Sequence, residues 1–174
     1  GQWPAFVEVA GIDTSGITIE NVGFPVREPM LAQGQGDAIF GFSFSSVINL
    51  KAQGVADDDI ALILMAENGL DLYGNVVMVN TQFAEANPEA VKGFLKALIR
   101  GFQDTIADPA ASVPYVLKRN GVLDEATEID RIEMAVAGSI ATPAVRENGI
   151  GGVDMTKLAK SMEYLKTSMG VSDT

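Results

Sequence analysis

Apolar residues recur along this chain in two different patterns, and the pattern changes near residue 80. Trp3, Phe6, Val7 and Ala10 lie at spacings of three, four and seven, which predicts a short helix over Gln2–Ala10. Pro4 fits its first turn and Gly11 closes it. Ile17–Val22 alternates partially and reads as a strand. Phe24–Gln33, interrupted by Pro25 and Pro29, reads as a short helix or turn. Gly34 and Gly36 end it and lead into a strand at Asp37–Phe40. A turn over Gly41–Ser46 then opens a helix from about Ser46 to Gln53, ended by Gly54. Ile60–Met65 is continuously apolar, as in a strand buried on both faces of a parallel sheet. Leu72–Asn80 reads as a further strand. Too few residues separate it from the last one for a helical crossover. It is either an antiparallel partner or a strand leaving for another lobe.

After Asn80 the period becomes helical throughout. Asn87 caps a long helix and Pro88 sits in its first turn. Val91, Phe94, Leu95, Leu98, Ile99, Phe102 and Ile106 form one apolar stripe on it, and Asp108-Pro109 stops it. Shorter helices follow at Ala110–Arg119, after the Asp124 cap with Ile129, Ile132, Val136 and Ile140 in phase, and after the Asp154 cap. On the last helix Leu158, Met162, Leu165 and Met169 are in phase, and the two methionines read as core. Residues 1–66 thus run α-β-α-β-α-β, the order of a parallel α/β layer. The stripe at 88–106 needs cover. Either the late helices pack on one another, or a sheet or second chain outside these residues supplies it.

At 174 residues, 47% of them apolar, the chain fits one domain or two small lobes. Twelve basic against 23 acidic residues leave a net charge of −11, which argues against nucleic acid and anionic membranes as partners. Cysteine and histidine are both missing. That removes thiol nucleophiles, Ser–His pairs and the usual metal ligands. No apolar run reaches the roughly 18–20 residues of a membrane span. No basic n-region opens the chain.

The candidate chemistry gathers around DAIFGFSFSSVINL, residues 37–50. A strand that runs through a Ser-rich turn into a helix start brings hydroxyls and unpaired N–H groups together. Ser43, Ser45 and Ser46 are the binding candidates there, with an ordinary capped loop as the plainer reading. Gly41-Phe-Ser43-Phe-Ser45 lacks the second glycine of a nucleophile elbow, and no histidine could serve it. Gly34-Gln-Gly36 precedes a strand and is no dinucleotide fingerprint. Asp57–Asp59 lacks the spacing of a calcium loop. Glu67 follows the buried strand at the level of Ser43, so it is either a ligand partner or a solvated acid. In a dry cleft it would disfavour anionic ligands. Tyr73 and Asn75 lie where the chain would cross between lobes, as ligand contacts or hinge packing. Trp3 is a core residue or an aromatic ligand wall.

The order of several motifs resembles a known family. They are Gln2-Trp3-Pro4-Ala5-Phe6, Met30-Leu31 through Gly34 and Gly36-Asp37-Ala38-Ile39, Leu72-Tyr73-Gly74-Asn75, and Asn87-Pro88-Glu89-Ala90-Val91 through Phe94-Leu95 and Ala97. They are similar to the substrate-binding proteins of ABC importers for nitrate, sulfonates, taurine and pyrimidine thiamine precursors, and to the fungal precursor synthases of that fold. The resemblance covers the chain but only the C-terminal part of such a protein. It implies a type II periplasmic-binding-protein-like α/β fold of two lobes. Residues 1–72 would be most of the second lobe, and 73–174 a hinge strand and helices returning to the first. It implies capture of a small polar, anionic or pyrimidine-like molecule without catalysis or cofactor. Ser43, Ser45, Ser46, Glu67, Tyr73, Asn75 and, less directly, Trp3 would face the ligand. A membrane permease would be the partner, and the location periplasmic or lipid-anchored outside the cell. Two rivals share the fold: a precursor synthase, whose histidine is not found here, and the effector domain of a transcription regulator.

Overall fold

A computed structural model describes residues 2–170, and within them the chain divides into two compact units. The first takes in the described residues of 1–21, 61–78 and 153–174, and the second those of 22–60 and 79–152.

In the first unit, helix α1 (Trp3–Ala10) starts with Pro4 in its first turn, where the missing N–H costs nothing. Gly11 ends it at φ 63°, a left-handed conformation that glycine adopts without penalty, and its N–H bonds the Val7 carbonyl. Ala5 and Phe6 of this helix are buried with Leu70, and Trp3, Val9, Ile12, Met65, Leu72 and Tyr164 pack around them. Trp3 lies tilted against Phe6, with ring centroids 6.3 Å apart. The last helix of the chain, Met155–Met169, packs on α1. Asp154 caps it, accepting from the N–H groups of Thr156 at 2.8 Å and Lys157 at 3.2 Å. Met162, expected in the core, is about half exposed, while the side chain of Met169 lies outside the described residues.

The second unit is built from α2 (Arg27–Ala32), α3 (Ser43–Ala52), α4 (Thr81–Ala86), α5 (Pro88–Ala107), α6 (Pro109–Leu117), α7 (Glu125–Ala135) and α8 (Pro143–Asn148). In chain order the helix Met155–Met169 of the first unit is then α9. Helix α7 is the hub, packing against both α3 and α6. Val113 of α6 is completely buried, and Ile48 and Leu50 of α3 are nearly so. Several helix starts in this unit carry side-chain caps, but Asn87, expected to cap α5, makes no such bond, and its amide donates instead to the Phe83 carbonyl at 3.2 Å. Asn80 accepts from the Phe83 N–H, Asp108 from Ala111, Asp124 from Thr127 and Thr142 from Val145. The Thr127 N–H, followed by its hydroxyl, holds the Asp124 carboxyl below its ordinary pKa. After α7 the chain passes through a π-helical turn, Val136–Ile140, which takes in the last two residues of the expected stripe.

The strands of the expected α/β architecture are not borne out. Among the described residues no strand forms, and Ile17–Val22, Asp37–Phe40, Ile60–Leu64 and Leu72–Asn80 have no ladder partner. Met65 belongs to a 3₁₀ turn, Met65–Asn68. An apolar run becomes a strand only where a neighbour takes up its N–H and C=O groups. Here these runs stay open, with Ile63 70% and Met78 87% exposed. The expected long helix is present as α5, but none of its residues is buried, and Phe94 and Leu95 on the stripe are exposed.

Candidate functional site

Helix α3 begins at Ser43, three residues earlier than its sequence indicated, so the serines form its first turn. Phe42 precedes them in extended conformation and offers no side-chain cap. Its carbonyl accepts from the Ser45 and Ser46 N–H groups, both at 2.9 Å. The Ser43 and Ser45 hydroxyls are half-buried and bond no other group among the described residues. The Phe42 ring stacks on Phe44, with centroids 5.3 Å apart and planes 17° apart, and keeps an exposed face. The turn therefore joins an aromatic face to two open hydroxyls at an uncapped helix start. Such a surface suits a flat ring carrying polar substituents.

Ser46 has a different place. It is buried, and its hydroxyl donates to Glu28 Oε1 at 2.7 Å. Glu28, on α2, is nearly fully buried. Gly41 is required beside this bond, because a Cβ there would overlap the Ser46 hydroxyl. Two arginines close around the turn. Arg27 donates from Nη1 to the Phe40 carbonyl, lies 3.5 Å from Glu28 and covers the Phe24 ring at 4.8 Å. Arg131, on α7, donates to the Phe44 and Ser45 carbonyls at 3.3 and 3.4 Å and to Asn49 Oδ1 at 3.1 Å. Glu128 neutralises it at 3.1 Å, one helical turn away.

The other candidates belong to the first unit. The Tyr73 hydroxyl accepts from the Asp154 N–H at 2.7 Å, and Lys157 lies 4.8 Å above its ring. Lys157 also pairs with Asp71 at 2.6 Å, beside a pocket of about 290 Å³ that Lys160 and Tyr164 line. Glu67 is exposed on its 3₁₀ turn and Asn75 is exposed as well. The dry surroundings on which an argument from Glu67 about ligand charge depends are not found at its position. Among the described residues no group of three His, Cys, Asp or Glu could hold a metal ion, and no helix is long and apolar enough to cross a membrane.

Sequence reasoning missed Phe42, Phe44, Arg27, Glu28, Arg131 and Glu128. The Glu128–Arg131 spacing of three marks a local pair. Nothing local in the sequence signals that Arg131 reaches residues 44 and 45.

Comparison with known proteins adds a family. The riboflavin-binding protein RibY of Chloroflexus aurantiacus is 28% identical over 105 residues, 60% of this chain but 28% of RibY's own length. No solved structure matches. The family model described as "NMT1/THI5 like" matches residues 2–112, well over half of the 174 residues. With Trp3, the Phe40–Ser46 turn and the start of α5 all inside that match, the chain belongs to the NMT1/THI5-like family.

Proposed function

We propose that this chain is part of a solute-binding protein that captures a small organic molecule and hands it to the membrane permease of an ABC importer. The reading includes a periplasmic or lipid-anchored extracellular location and no bond-making chemistry. It also keeps the two-lobed α/β organisation the family implies, with residues 1–72 mostly in one lobe and 73–174 returning to the other. The single observation that carries it is the turn at the start of α3. The exposed face of Phe42, stacked on Phe44, adjoins the unengaged hydroxyls of Ser43 and Ser45. That combination favours a planar heteroaromatic with carbonyl or anionic substituents over a nitrate-sized ion, since stacking requires a ring. A relative that binds riboflavin agrees with this choice. Glu67, Tyr73, Asn75 and Trp3 remain ligand candidates of the same reading. Ser46 supports the turn through Glu28.

The test is titration of the protein with riboflavin and with an aminopyrimidine, followed by flavin fluorescence and calorimetry. The expected result is saturable binding of at least one ring compound, weakened by about tenfold or more in the Phe42→Ala and the Ser43→Ala plus Ser45→Ala variants. Binding that is indifferent to all three substitutions would remove the turn from the site. Turnover of either compound would replace capture with catalysis.

A further inference from the structure

We infer that Arg27 and Arg131 are positioning residues: they grip the main chain of the Phe40–Ser46 turn from two helices and hold it in the conformation that receives ligand. The inference rests on the reading of this turn as the ligand site. Between them, the two guanidiniums take three main-chain carbonyls within six residues, those of Phe40, Phe44 and Ser45. Neither arginine is a surface group, since their side chains are 20% and 22% exposed. The carboxylate beside each is more deeply buried, 3% for Glu28 and 8% for Glu128.

Stability alone does not account for this arrangement. Taking two ion pairs out of water costs so much that apolar residues of the same volume often serve stability as well or better. From α7, the Arg131 guanidinium also reaches the first turn of α3, at the positive end of the helix dipole, where a cation is unfavourable. Glu128 offsets that charge. A helix start that needed only stabilising would carry Ser, Thr, Asp or Asn in place of Phe42. Here the start is fixed from outside through its carbonyls. Phe42 is left to present a ring, and the Ser43 and Ser45 hydroxyls stay unengaged. Ser46 and Gly41 fit the same logic, because the Ser46–Glu28 bond ties the turn to the residue adjoining Arg27.

The experiment compares Arg131→Met and Arg27→Met with Lys51→Met, which removes only the exposed Lys51–Asp57 pair. Arg27→Lys and Arg131→Lys replace any Met variant that does not fold. Amide hydrogen exchange at residues 42–46 and within α6 and α7 is read beside the riboflavin affinity. In the arginine variants, exchange at 42–46 should rise by about tenfold or more, the worth of a hydrogen bond to a charged group. Exchange in α6 and in the middle of α7 should hold, and riboflavin should bind about tenfold or more weakly. Lys51→Met should change neither. Methylguanidinium ion, added to Arg131→Ala, should restore both readouts, which a purely structural loss would not allow. Unchanged exchange at 42–46 in both arginine variants overturns the grip. Faster exchange there with unaltered riboflavin affinity leaves the grip standing but overturns the turn as ligand site. Should the unaltered protein not bind riboflavin, the ligand reading fails separately and the exchange result still decides the grip.

Discussion

At the scale of single residues, Gly41 and Ser46 explain each other. Glu28 is buried almost completely, and a carboxylate in that position depends on its donors. Ser46 supplies one at 2.7 Å. It stands so close to Gly41 that any side chain at position 41 must displace the hydroxyl. Gly41→Ala should therefore break the Ser46–Glu28 bond and cost about 1–3 kcal/mol, the penalty of leaving a buried acceptor short of a partner. The measurement is urea unfolding of the second unit's helices. Gly36→Ala is the control: its added methyl group meets nothing within 4 Å. It should change stability by no more than about 0.5 kcal/mol. Equal losses from the two substitutions would mean that the Cβ clash is not what matters at Gly41. The same residues show a limit of the sequence pattern. A Ser-rich stretch before an apolar run marks a helix start, but not which serine lies outside the helix. The structure places Ser43 as the first helical residue and Phe42 outside.

At the scale of elements, the helices were legible and their neighbours were not. Pro88 before a 3.6-residue apolar period places α5 to within a residue or two, because both signals are local, although the Asn87 side chain does not cap the helix. The four apolar stretches expected as strands were legible as residues in need of cover. A strand, however, is defined by its partner, and no local signal in Ile60–Met65 names one. Arg131 was unreadable for the same reason, since its acceptors lie more than eighty residues earlier in the chain. The contrast between α5 and α6 can be measured. Val113 is fully buried between α6 and its neighbours, so Val113→Ala should cost about 2 kcal/mol through two lost methyl groups and the space they leave. Phe94, on the stripe of α5, is 58% exposed. Phe94→Gln should stay within about 0.5 kcal/mol in the 174-residue chain. A large loss at Phe94 would show that something covers the stripe in solution. Helix content by circular dichroism would separate that from loss of α5 itself.

At the scale of the whole molecule, surface and charge decide what folding can contribute. The chain has a mass of 18.4 kDa and exposes 12680 Å². A folded monomer of that mass exposes about 8,200 Å², and its unfolded chain about 26,700 Å². Folding as described therefore removes only about three-quarters of the surface that such a monomer removes. Large apolar groups are exposed in both units: Ile63, Val76, Val77 and Met78 in the first, Phe24, Phe42, Phe94 and Tyr115 in the second. A net charge of −11 keeps molecules with such surfaces apart more effectively at low salt than at high salt. The heat-capacity change of unfolding reports this directly, because it follows the apolar area newly exposed to water. For 174 residues of ordinary globular protein it is about 2.1–2.6 kcal/mol/K. Scaled by the smaller burial, this chain should give about 1.6–2.0 kcal/mol/K. Calorimetry at low salt, summed over all transitions, measures it without assuming that the two units unfold together. A value in the ordinary range would mean that the exposed runs at residues 61–63 and 76–79 are buried in solution. The paired strands that the family's fold implies would then be the natural account of those segments.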